Sequence, residues 1–200
     1  CPLSKHYRNM KGDLKAYSLE CDGIVTGFSV SLKEALVNRD WDVVSLQQVS
    51  HLSPKYETYQ PYIGELAAYI REYQPQAKIA VHETWAYKEG SERLLYVARY
   101  EKRADMYRDL HAAYSKAAED IKADIIIPCG TLFEKITAAG VREVHRDTFH
   151  ASLGAGRYAL ALTWYHVLTG KSVKDIDFGA FDEPVSDEEI NIIKECVDTL

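Results

Sequence analysis

The sequence predicts an α/β fold, and three observations carry that prediction. Short segments rich in β-branched and apolar residues, Trp41–Gln48, Lys78–Trp85 and Ala123–Cys129, recur along the middle of the chain. Between them lie amphipathic segments of more than about ten residues, the length at which strand–helix–strand connections become right-handed crossovers between parallel strands. The 200 residues are 46% hydrophobic and 27% charged, a globular composition sized for one domain and incompatible with disorder.

In chain order, Lys5–Leu14 reads as an opening helix. Tyr17–Glu20 and Ile24–Phe28 flank Asp22-Gly23, a pair suited to the positive φ angles of a tight hairpin, so residues 16–30 form a small β-hairpin. Ser31 and Glu34 have capping-box spacing, which starts a short helix running to Asn38. Trp41–Gln48 is a buried strand. Tyr59, Ile63, Leu66, Ile70 and Tyr73 recur at helical spacing, so Tyr56–Tyr73 is an amphipathic helix. Lys78–Trp85 is the second strand, and Arg99–Ile121 a long helix carrying Met106, Leu110, Ala113 and Ala117. Ala123–Cys129 is the third strand. Leu132–Ala139, Leu153–Leu168 (stopped by Gly170) and Asp187–Val197 complete the set as helices.

Composition excludes several functions. Lys and Arg number 24 against 30 Asp and Glu, a net charge of −6 with no basic cluster, which argues against a nucleic-acid partner because that affinity rests on phosphate neutralisation. No apolar run approaches the roughly 20 residues of a membrane-spanning helix. Cys1, Cys21, Cys129 and Cys196 lack CxxC spacing and read as free thiols, with a Cys1–Cys21 bridge as the alternative. No HxH, HExxH or carboxylate cluster accompanies the histidines, so neither a metal nor another cofactor is expected.

In parallel sheets, chemistry gathers beyond the carboxyl ends of the strands. Here those ends are Gln47-Gln48-Val49-Ser50, Glu83-Thr84-Trp85 and Cys129-Gly130-Thr131. The most informative segment is Asp147-Thr148-Phe149-His150, on a turn entering a helix. An Asp three residues before a His can accept from Nδ1–H and leave Nε2 facing the crevice as a general base. The bland alternative is a capping Asp beside a surface His. His82, alternating with apolar residues, reads as a satisfied interior histidine, and His145 has no recognisable partner. Gly154-x-Gly156 fits a dinucleotide fingerprint formally, but no strand precedes it, so its glycines serve close helix packing.

The run from His150 through Gly154-Ala155-Gly156-Arg157-Tyr158 to Trp164-Tyr165 and Leu168-Thr169-Gly170 resembles the last block of the SGNH (GDSL-type) hydrolases. The closer match is to a bacterial branch with WDVVSLQQ-S and TWAY signatures, standing here as Trp41–Gln48 with Ser50 and as Thr84-Trp85-Ala86-Tyr87. The resemblance implies a three-layer α/β/α, flavodoxin-like parallel sheet. It also implies an ester hydrolase of carbohydrate or small-acyl esters that is often exported in bacteria. Asp147 would orient and His150 would be the base of a Ser-His-Asp triad. Gln48, with Gln47 as the alternative, would take the place of the family's oxyanion-donating asparagine; Ser50 and Trp85 would line the substrate site, although Trp85 equally closes a core.

The family's GDS-type serine motif is absent, and Cys1 aligns after the family's second block. The chain also opens Cys1-Pro2-Leu3 without an initiator Met or signal-peptide pattern. The expectation is therefore a single SGNH-like domain without its first two strands, with the nucleophile elsewhere and with Trp41–Gln48 as an unpaired edge open to self-association. A ligand-binding member of the same fold without turnover is the competing expectation.

Overall fold

The computed structural model describes all 200 residues. Seven helices and five strands follow one another as α1 (Leu3–Lys11), β1 (Tyr17–Cys21), β2 (Ile24–Val30), α2 (Leu32–Val37), β3 (Val43–Leu46), α3 (Tyr62–Tyr73), β4 (Lys78–His82), α4 (Arg103–Asp120), β5 (Ile125–Ile127), α5 (Cys129–Ala138), α6 (Ala155–Thr169) and α7 (Asp187–Asp198). β3, β4 and β5 form a parallel sheet in that order, with Val44 beside Ile79 and Val81 beside Ile126. The fold class is the α/β class that the sequence predicts.

Alternation along β4 divides the core. Ile79 and Val81 pack with Leu66 and Ile70 of α3 and with Met106 and Leu110 of α4. Ala80 faces the other way, toward Ile127 and the Leu160 and Trp164 side of α6. Helices thus cover both faces of the sheet, giving three layers. A third cluster joins α5, α6 and α7 through Leu132, Ile136, Ala159, Leu162, Ile193 and Val197.

Local signals account for most boundaries. Asp22 and Gly23 both take positive φ (53° and 79°), as a two-residue hairpin turn between β1 and β2 requires. Ser31 and Ser186 each close a full capping box, with Glu34 and Glu189. The predicted Tyr56–Tyr73 helix is split: Tyr56–Thr58 is a 3₁₀ turn, and α3 begins after Pro61, which has no N–H to continue an upstream helix. The three strands are shorter than their apolar runs, and the long helix starts at Arg103 rather than Arg99. A π-helical turn, Arg93–Ala98, has no counterpart in the sequence reading; it ends at Arg99 in the left-handed region. All four cysteines are free thiols.

β3 pairs only with β4, so its other edge has no strand partner. A groove of about 270 Å³ runs along that side, lined mainly by apolar residues including Leu3, Leu36, Val44, Leu46 and Leu66.

Candidate active site

Asp147 and His150 lie on a turn held closed from several directions. The Arg146 N–H donates to the His150 carbonyl (2.9 Å), and His145 and Ala151 form an antiparallel bridge below it. The Trp85 indole Nε1 donates to the Phe149 carbonyl (2.8 Å), while the Trp85 ring stacks on Phe133 at 4.7 Å. Trp85 therefore closes the core and also holds the turn. At its centre Thr148 has φ 75°, a genuine outlier for a β-branched residue and the kind of backbone strain that concentrates at functional sites.

Within this turn Asp147 uses both oxygens on one partner. Oδ1 accepts from the His150 main-chain N–H (3.0 Å), and Oδ2 lies 2.8 Å from His150 Nδ1. Facing a carboxylate, Nδ1 carries the proton, so that in the neutral ring the lone pair is on Nε2. Both side chains are about half exposed, at 44% and 52%. The side-chain bond from His150, then its main-chain N–H, hold the Asp147 carboxyl down at about 2.

The surrounding residues differ from the sequence reading at several points. Gln48 is no oxyanion donor: it is buried, its Oε1 accepts from the Leu3 and Val49 N–H groups, and its Nε2 donates to the Thr58 carbonyl (3.0 Å) and Thr58 Oγ1 (3.1 Å). Both amide hydrogens are engaged, so none remains for a ligand. Gln47, on the opposite face of the chain, lines the groove beside β3. Ser50 does reach the neighbourhood, with Oγ 3.0 Å from the Tyr87 hydroxyl; Tyr87 in turn meets Phe149 edge-on at 5.8 Å.

His145 has the partner that spacing hid. Its Nε2–H donates to the Ala86 carbonyl (2.9 Å), and burial pushes its pKa down to about 4. His82 is not a satisfied histidine: its Nε2 is enclosed without a hydrogen-bond partner beside Trp85 and Trp164, and burial lowers it to about 4. The glycines after the turn are packing residues, since a Cβ on Gly156 would stand 2.5 Å from the Val144 carbonyl oxygen.

A second carboxylate–imidazole contact lies at the end of β4, unmarked by any short motif. The Glu83 carboxylate is buried at the start of α5, where Oε1 accepts from Thr131 N–H (2.7 Å) and Oγ1 (3.0 Å) and Oε2 sits 2.7 Å from His111 Nδ1. Two of its bonds anchor the α5 N-terminus and the third ties that end to α4, which is a structural task.

A parallel three-stranded sheet with helices on both faces defines the architecture. The architecture is shared with a structure from Parabacteroides merdae described as a GDSL-like lipase, which matches with a TM-score of 0.54 and 17% identity over 86% of this chain and 70% of that one. A crystal structure of a DUF4886 family protein from Bacteroides uniformis matches with a TM-score of 0.86 and 29% identity, over 100% of this chain and 78% of that one. The DUF4886 family, described as a domain of unknown function, matches residues 1–199, and this chain belongs to it. No curated protein matches the chain.

Proposed function

We propose that Asp147 and His150 are the orienting acid and general base of an SGNH-type ester hydrolase acting on carbohydrate or other small-acyl esters. The observation that carries this reading is the 2.8 Å contact from His150 Nδ1 to Asp147 Oδ2 on a strained, half-exposed turn. In the reaction, His150 Nε2 takes the proton of a serine hydroxyl as its Oγ attacks the ester carbonyl carbon. The protonated imidazole then gives that proton to the departing alkoxide, leaving an acyl-serine. Water, deprotonated in turn by Nε2, attacks the acyl carbon and releases the acid and the free serine. Asp147 fixes the tautomer and stabilises the imidazolium throughout.

His150 has no hydrogen bond to any hydroxyl of these 200 residues, its side chain being engaged with Asp147. The serine in this reading comes from a strand that lies along the unpaired edge of β3, where the apolar groove is. The engagement of Gln48, and a Ser50 hydroxyl bonded to Tyr87 rather than to His150, favour the second reading, a ligand-binding member without turnover.

The two separate by kinetics on the full-length encoded protein with 4-nitrophenyl acetate. In the hydrolase reading His150→Ala loses at least about 100-fold in kcat/KM, and Asp147→Asn loses less. Undiminished turnover in His150→Ala removes the assignment.

A further inference from the structure

Beside this pair stands a cation with no assigned task. Arg93 opens the π-helical turn on the β4–α4 connection, a type of turn that recurs at functional sites. Its guanidinium carbon lies 3.7 Å from the centre of the Phe149 ring, a face-on stacking distance. The Phe149 ring centre is itself 3.7 Å from that of His150. Arg93 is thus joined to the candidate base through one aromatic ring.

Neighbouring cations have acidic partners: Arg146 reaches Asp147 at 3.8 Å, and Lys88 reaches Glu143 at 3.5 Å. Arg93 is exposed and enters no ion pair, in a chain where acidic residues outnumber basic ones. A guanidinium lying on a ring keeps its N–H edge off that ring; the Tyr87 hydroxyl is near enough to share part of it, and the remaining donors form a fork matched to a carboxylate.

We propose that Arg93 is a specificity-determining residue that binds a carboxylate on the substrate, next to the bond His150 serves. A singly charged group matches the single guanidinium stacked beside the candidate base. The adjacent His51 is held toward its neutral form by burial and by the Lys55 and Arg93 charges. Calling the bound anion part of a substrate rests on the hydrolase reading; the capture of a carboxylate by Arg93 does not.

The test compares benzoate with its neutral isostere benzamide, titrated into this chain at pH 7 and low salt and followed by NMR, including the arginine Nε–H signals. Benzoate should bind roughly tenfold more tightly than benzamide and shift the Arg93 Nε–H signal. The preference should fall to about one in Arg93→Gln and be partly restored in Arg93→Lys, which keeps the charge without the planar fork. Equal affinity for the two probes, or a preference that persists in Arg93→Gln, overturns the proposal. If Arg93→Gln does not fold, the wild-type Arg93 signal decides: unmoved by benzoate, it overturns the proposal equally. Failure of the hydrolase reading would leave the benzoate preference standing, and loss of that preference would leave the His150→Ala result untouched.

Discussion

The main-chain N–H of Lys88 donates to the carbonyl of Thr148 at 2.8 Å, so the connection after β4 grips the Asp147–His150 turn at its one left-handed residue. Strain at such a position costs about 1–3 kcal/mol for a β-branched residue, and glycine removes it at an entropic cost of roughly 0.5–1 kcal/mol. Thr148→Gly should therefore leave the protein as stable as before or up to about 2.5 kcal/mol more stable, as measured by urea denaturation. A loss of more than about 1 kcal/mol would mean that the Thr148 side chain itself supports the turn.

Two glycine substitutions should move stability in opposite directions. A Cβ at Gly130 would stand 2.3 Å from the Thr84 carbonyl oxygen and 2.8 Å from Glu83 Oε1, so Gly130→Ala should cost roughly 1–3 kcal/mol and loosen the start of α5. Gly64, inside α3, has nothing within 4 Å of that position, and Gly64→Ala should stabilise by about 0.5–1 kcal/mol. Equal effects at the two sites would contradict the close approach of Glu83 to α5.

Acid should weaken the fold early. Burial depresses both His82 and His145 to about 4, so the native protein resists protons that the unfolded chain takes up near its ordinary value of 6.5. Their contribution is complete above about pH 6.5, is lost as the pH falls toward 4 and levels off below that. Each histidine accounts for on the order of 3 kcal/mol across this window. Denaturation midpoints measured between pH 7 and 4.5 should fall steeply in the wild type and less steeply in His82→Leu. An unchanged slope in that variant would show that the His82 ring is protonated without cost.

The sequence made the layers legible because burial leaves a period. Ile79 and Val81 alternate with Ala80 on β4, and Ile63, Leu66 and Ile70 repeat on α3; both patterns survive in the structure. Asp147 and His150 were legible for a similar reason, since three residues within one turn can meet without help from elsewhere. Gln48 was misread because its partners, Leu3 and Thr58, are remote or unpatterned, and a buried amide looks the same in sequence as a catalytic one. Arg93 was invisible for the converse reason. Its meaning comes from Phe149, 56 positions away, and from a π-turn that no simple periodicity announces.

Fluorophosphonate labelling of the full-length encoded protein, with the adduct located by peptide mass spectrometry, shows whether His150 serves a nucleophilic serine. A single modified serine is expected outside these 200 residues, with labelling strongly reduced in His150→Ala. An adduct at Ser29, Ser50 or Ser152, or labelling indifferent to the loss of His150, would contradict that expectation.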